Sequence, residues 1–195
     1  MTKLTLDDIA DARAYERERD DFRRHVIELK KRRRVAVGPL VSFVFENRDT
    51  IRFQIQEMAR VERLFSDEAI QTELDIYNPL IPEPGELVAT MFIEFTSDAE
   101  QREWKPRLIG ILDEVWLELG ERRVRAVLDE DHAEMLTREV PPSVNFLRWR
   151  LDDDDIAVLE AGPVALAITH PNYTHRAELA PETVAELLSD ARHGG

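Results

Sequence analysis

The segment VSFVFENRDTIRFQIQEMARVER, residues 41–63, decides how the rest of this chain is read. Val41, Phe43 and Phe45 alternate with Ser42, Val44 and Glu46, and Ile51, Phe53 and Ile55 alternate with Arg52, Gln54 and Gln56. An apolar residue at every second position is the period of a half-buried strand. Asn47, Arg48 and Asp49 separate the two runs, and such residues accept turn geometry and hydrogen-bond their own backbone. The pattern predicts an antiparallel hairpin with Phe45 opposite Ile51 and Phe43 opposite Phe53, which gathers the apolar side chains on one face. The polar residues Glu46, Arg48, Arg52, Gln54 and Gln56, with Glu57 and Arg60 just beyond, then form a candidate ligand- or partner-binding surface. The plainer reading of such a face is a solvated one.

The run KKRRRVAVGPLVSFVFENRDTIRFQIQEMARVER (residues 30–63), followed by ELDIYNPLIPEPGEL (residues 73–87), resembles a bacterial family, domain-of-unknown-function family 3501. That resemblance implies no established activity and assigns no catalytic residue. Genes of the family often lie beside those of rubrerythrin-like proteins and iron–sulfur oxidoreductases, so the resemblance implies a role near peroxide or redox-stress handling, with such a protein as partner.

The 195 residues suit one domain, with residues 78–86 as a candidate sub-domain boundary, and can bury a sizeable core. A formal net charge of −14 argues against general binding to nucleic acid or anionic membranes. The charge is uneven, +3 over residues 1–34 and −17 over the remainder, so a basic head precedes an acidic body. With no cysteine, this chain alone builds no disulfide, thiolate zinc site, iron–sulfur cluster or cysteine nucleophile. No apolar run approaches the roughly 20 residues of a membrane helix, and the first residues lack a secretory core; the expected location is the cytoplasm.

Residues 6–31 read as one long amphipathic helix capped by Thr5, with Leu6, Ile9, Tyr15, Phe22, Val26 and Leu29 near one stripe. That stripe packs either on the sheet or on a second copy of itself, which would make a homo-oligomer. Lys30 to Arg34 end this helix, where cations suit the dipole, and enter a strand; a phosphate grip is the weaker reading of them. Residues 58–65 and 67–77 read as helices, the second capped by Ser66. Three prolines and Gly85 make residues 78–86 a rigid connection. Further strands are expected at residues 87–95, 115–119, 122–128 and 144–151, and a helix capped by Thr96 or Ser97 runs toward Leu108. Asp154 or Asp155 caps a short helix, and residues 181–192 form a C-terminal amphipathic helix with Val184, Leu187 and Leu188 toward the core.

In VALAITHPNYTHRAEL (residues 164–179) two strand-like runs flank His170 to Tyr173. A two-residue turn at Pro171 and Asn172 places His170 opposite Tyr173 and His175 diagonal to it on one face, where the two imidazoles would share a metal; a loop one residue different sends them apart. Asp131, His132 and Glu134 read as a solvated charged connection. The scattered glycines form no phosphate loop, and no serine sits in a nucleophile elbow.

These readings converge on an α+β fold, a mostly antiparallel sheet built from hairpins, with a long N-terminal helix and a C-terminal helix packing on it. The functional expectation is a non-catalytic accessory or interaction protein of a redox-stress system. The alternative is a small-ligand- or metal-binding enzyme or sensor, using the polar face of residues 41–60 and His170 with His175.

Overall fold

The structure, a computed structural model, describes residues 3–128 and 141–195. The stretch Asp131 to Glu134 lies outside the described residues. Strands β1 (Arg34–Val37), β2 (Val41–Phe45), β3 (Glu86–Ile93), β6 (Val127–Leu128) and β7 (Val144–Arg150) form one antiparallel sheet in the order β1-β2-β3-β7-β6. Strands β4 (Val115–Leu119), β5 (Arg122–Arg125), β8 (Val164–His170) and β9 (Tyr173–Glu178) form a second, in the order β5-β4-β8-β9. Helices α1 (Ala12–Arg33), α2 (Arg48–Glu62), α3 (Asp67–Tyr77), α4 (Asp98–Trp104), α5 (Asp153–Ala161) and α6 (Pro181–His193) complete the α+β fold.

The decisive segment folds differently from its strand period. Residues 41–45 are a strand, but residues 48–62 are helix α2, so the expected hairpin does not exist. Asn47 accepts the Thr50 N–H through its side chain, and the Thr50 hydroxyl accepts the Asn47 N–H, a reciprocal cap that starts a helix instead of a turn. Ile51, Ile55 and Ala59 are all buried, and a spacing of four serves a helix face as well as their alternation serves a strand. Phe53 drops out of the core and meets Phe22 of α1 edge-on at 5.7 Å. The true partners of Phe43 are Val35 and Met91. Strand β2 is therefore interior and buried along its whole length, and Ser42 and Glu46 are buried as well, away from solvent.

Residues 6–31 are also not one helix. Thr5 caps a single 3-10 turn at Leu6–Asp8, and Asp11 caps α1 by accepting the N–H groups of Arg13 and Ala14. A second cap residue, the carboxylate of Asp11, breaks the run there. The apolar stripe of α1 is filled within the chain, against α2, β2 and α6. At its basic end Arg33, 2% exposed, binds Asp190 at 2.6 Å and Glu186 at 2.9 Å on α6. Ser66 caps α3 and Ser97 caps α4 as expected, whereas Asp152, not Asp154 or Asp155, caps α5, with Asp155 completing the box. The strand expected over residues 122–128 divides, β5 pairing with β4 and β6 crossing to β7.

Between the sheets lies one shared core, in which Phe43, Phe45, Met91, Leu147 and Trp149 face Leu117, Leu119, Leu166 and Ile168. On the outer face of the first sheet a second cluster, including Ile51, Ile55, Leu74, Leu80 and Val88, anchors α2 and α3. That outer face carries the site.

Candidate functional site

Five of the seven polar residues singled out in the sequence project from α2 onto the N-terminal segment. Arg48 pairs with Asp8; Arg52 donates to the Asp8 carbonyl at 2.8 Å and to Glu18 at 3.0 Å. The Gln56 amide reads Ala10 as a neighbouring strand would, accepting its N–H at 2.7 Å and donating to its C=O at 3.2 Å. Glu57 accepts the Tyr15 hydroxyl at 2.7 Å and a two-pronged bond from Arg19 at 2.8 and 2.9 Å, with Arg60 at 3.6 Å. The Arg19 hydrogen bonds hold the Glu57 carboxyl at about 2, against the burial that pushes it up. Burial, and then the hydrogen bond to Glu57, raise the Tyr15 phenol. These side chains bind, but what they bind is residues 8–19 of their own chain.

The other two, Glu46 and Gln54, line a groove of about 280 Å³ on the outer face of the first sheet. Thr90 and Phe92 of β3 and Val144 and Phe146 of β7 form its floor; register places Phe146 opposite Thr90 and Val144 opposite Phe92, so all four share one face. Thr50 and Gln54 of α2, Lys30 of α1 and Tyr77 of α3 form the walls. Glu46 is 7% exposed; one carboxylate oxygen accepts the Thr50 hydroxyl and the other the Thr90 hydroxyl, each at 2.5 Å. Among the described residues no cation lies within ion-pair distance of it. Burial pushes the Tyr77 phenol up, with the Gln54 hydrogen bond acting against it.

The two-residue turn between β8 and β9 sets His170 opposite Tyr173 and His175 opposite Ile168, the parity that puts both imidazoles on one face. Their rings nevertheless do different work. The His170 Nε2 bonds the Ile109 carbonyl at 3.0 Å, and its Nδ1 accepts the Asn172 N–H at 3.3 Å. The His175 ring lies 4.4 Å from that of Tyr173 and against Gly38. Among the described residues no group of three or more His, Cys, Asp or Glu could hold a metal ion.

Lys30, Thr50, Tyr77, Thr90, Phe92 and Phe146 escaped the sequence reading of this groove. Thr90 carried a signal, as a hydroxyl inside an otherwise apolar strand needs a buried partner. Lys30 was hidden in a basic run whose other members serve the helix end.

A protein of unknown function from Burkholderia pseudomallei, known from a crystal structure at 1.90 Å resolution, is similar throughout: 38% identity, 97% of this chain and 99% of that chain covered, TM-score 0.89. No curated protein matches. The profile of the protein-of-unknown-function family DUF3501 matches residues 3–191, so the chain belongs to that family, the one which residues 30–63 and 73–87 resemble.

Proposed function

We propose that this protein is a cytoplasmic, non-catalytic accessory protein that docks, through the elbow between α2 and α3, on a rubrerythrin-like or iron–sulfur protein of a redox-stress system. The observation that carries the reading is the elbow itself. Val61 is 68% exposed and Phe65 76%, although each would gain free energy by leaving water. Phe65 also borders a cavity of about 150 Å³ with Leu6, Ile9, Leu64 and Ile70, so the apolar surface is continuous instead of a lone side chain. An exposed aromatic beside an apolar recess, rimmed by the charges of α1 and α2, has the anatomy of a protein-binding hot spot. The choice of partner rests on the gene neighbourhood that the family resemblance implies. No helix among the described residues is long and apolar enough to cross a membrane.

The test is capture on the immobilised chain from its own host under mild oxidative stress, with the Phe65→Ser variant in parallel. Near-stoichiometric recovery of a rubrerythrin-like or iron–sulfur protein by the parent chain, lost in Phe65→Ser, supports the reading. Failure to recover such a protein, or equal recovery by the variant, overturns it.

A further inference from the structure

Two opposite charges line the groove over β3 and β7 without meeting. The Glu46 carboxylate is more than nine-tenths buried and accepts two hydroxyl hydrogen bonds, and it forms no ion pair among the described residues. Lys30, half-buried in the same lining, has its ammonium 6.0 Å from the Phe53 ring centroid and likewise forms no ion pair among the described residues. A carboxylate held away from water without a cation is unfavourable, and a four-carbon lysine stem beside it would ordinarily close the pair. Here the hydroxyls of Thr50 and Thr90 hold the carboxylate instead, and the groove that both charges line is floored by Phe92 and Phe146 and walled by Tyr77.

We propose that this groove binds a small zwitterion with an apolar body, of the size and chemistry of an aromatic or branched-chain α-amino acid. Its ammonium group bonds Glu46, its carboxylate bonds Lys30, and its side chain lies on Phe92 and Phe146. The carboxylate of Glu46 keeps free lone pairs beyond those taken by the two threonines, so it accepts the ammonium without giving up either hydroxyl. Aromatic rings beside an ammonium add a cation–π contribution. At about 280 Å³ the groove is small for a ligand site, which limits the occupant to a single such unit and excludes a nucleotide. This inference does not depend on the docking elbow, which lies on other residues.

The test is calorimetric titration of the full chain with L-phenylalanine, L-leucine, 2-phenylethylamine and 3-phenylpropionate. L-Phenylalanine or L-leucine should bind at least about tenfold more tightly than either singly charged compound, since each lost charge-assisted bond removes about that factor. Glu46→Gln should erase the advantage of L-phenylalanine over 3-phenylpropionate. Lys30→Met, at a half-buried helix position that tolerates it, should erase the advantage over 2-phenylethylamine. Absence of binding by both amino acids, equal affinity for all four probes, or an unchanged ranking in Lys30→Met overturns the proposal.

Discussion

Gly38 shows how closely one residue is specified. It turns β1 into β2 with a φ of +75°, and a Cβ there would lie 2.5 Å from the His175 ring and 2.6 Å from the Tyr173 hydroxyl. That hydroxyl donates to the Val37 carbonyl at 2.8 Å and accepts the N–H groups of Leu40 and Val41, so it fixes the same turn from the other sheet. Gly38→Ala is expected to cost more than the roughly 1–2 kcal/mol of a left-handed non-glycine residue, because a clash with the His175 ring and the buried Tyr173 hydroxyl is added; urea denaturation would measure it, and a neutral result would contradict the packing described. Arg33 gives the matching electrostatic case. Removing the guanidinium in Arg33→Ala leaves Asp190, which burial already pushes up, without its cation, and a loss of about 3–5 kcal/mol is expected. A shift of less than about 1 kcal/mol would mean that the pair is solvated.

At the scale of elements, the N-terminal segment depends on carboxylates for its attachment to α2. Glu57 sits at about 2 in the folded chain against an ordinary 4.5, and Asp8 is lowered too, by the Thr5 N–H and then by Arg48. A carboxyl lowered by folding stabilises the fold above its unfolded value and loses that contribution as pH falls toward its folded one. Hydrogen exchange should therefore show residues 3–19 loosening between about pH 4.5 and pH 2 before the two sheets open, and exchange in both regions rising together would contradict it. The cap of α2 is a second device of this scale: Asn47→Ala should cost about 1 kcal/mol, measured by thermal unfolding. That cap is also where the sequence misled. Ile51, Phe53 and Ile55 satisfy a strand period, and Ile51, Ile55 and Ala59 satisfy a helix period, so periodicity alone could not choose. Asn47, read with Arg48 and Asp49 as a turn, is the helix start, boxed by Thr50. Elements with one period and one clear start signal, such as α3 behind Ser66 and α6 at Pro181, were legible, whereas the β8–β9 register stayed open between loop lengths until strand pairing fixed it. The candidate residues were legible as a polar set, but their division into a clamp and a groove was not, because a helix sends successive residues around an axis while a strand sends them to two faces. Thr90, Phe92 and Phe146 join the groove only through pairing between strands distant in sequence.

The whole molecule is two antiparallel sheets around one core, with the outer face of the first sheet roofed by helices that the N-terminal segment fastens down. Its exposed apolar elbow at Val61 and Phe65 stands on that roof, whereas the buried Glu46, without an ion pair among the described residues, lines the groove beneath it. In a chain with a net charge of −14, association through an apolar patch should resist salt, whereas attraction by the acidic surface would fade as ionic strength rises. The most direct measurement is the affinity of the purified chain for the proposed rubrerythrin-like or iron–sulfur partner, compared with that of Phe65→Ser at low and high salt. The account predicts at least about a tenfold loss in the variant, the scale of a hot-spot aromatic, and little change with salt for the parent. Equal affinities for parent and variant, or binding that vanishes in salt, would contradict it.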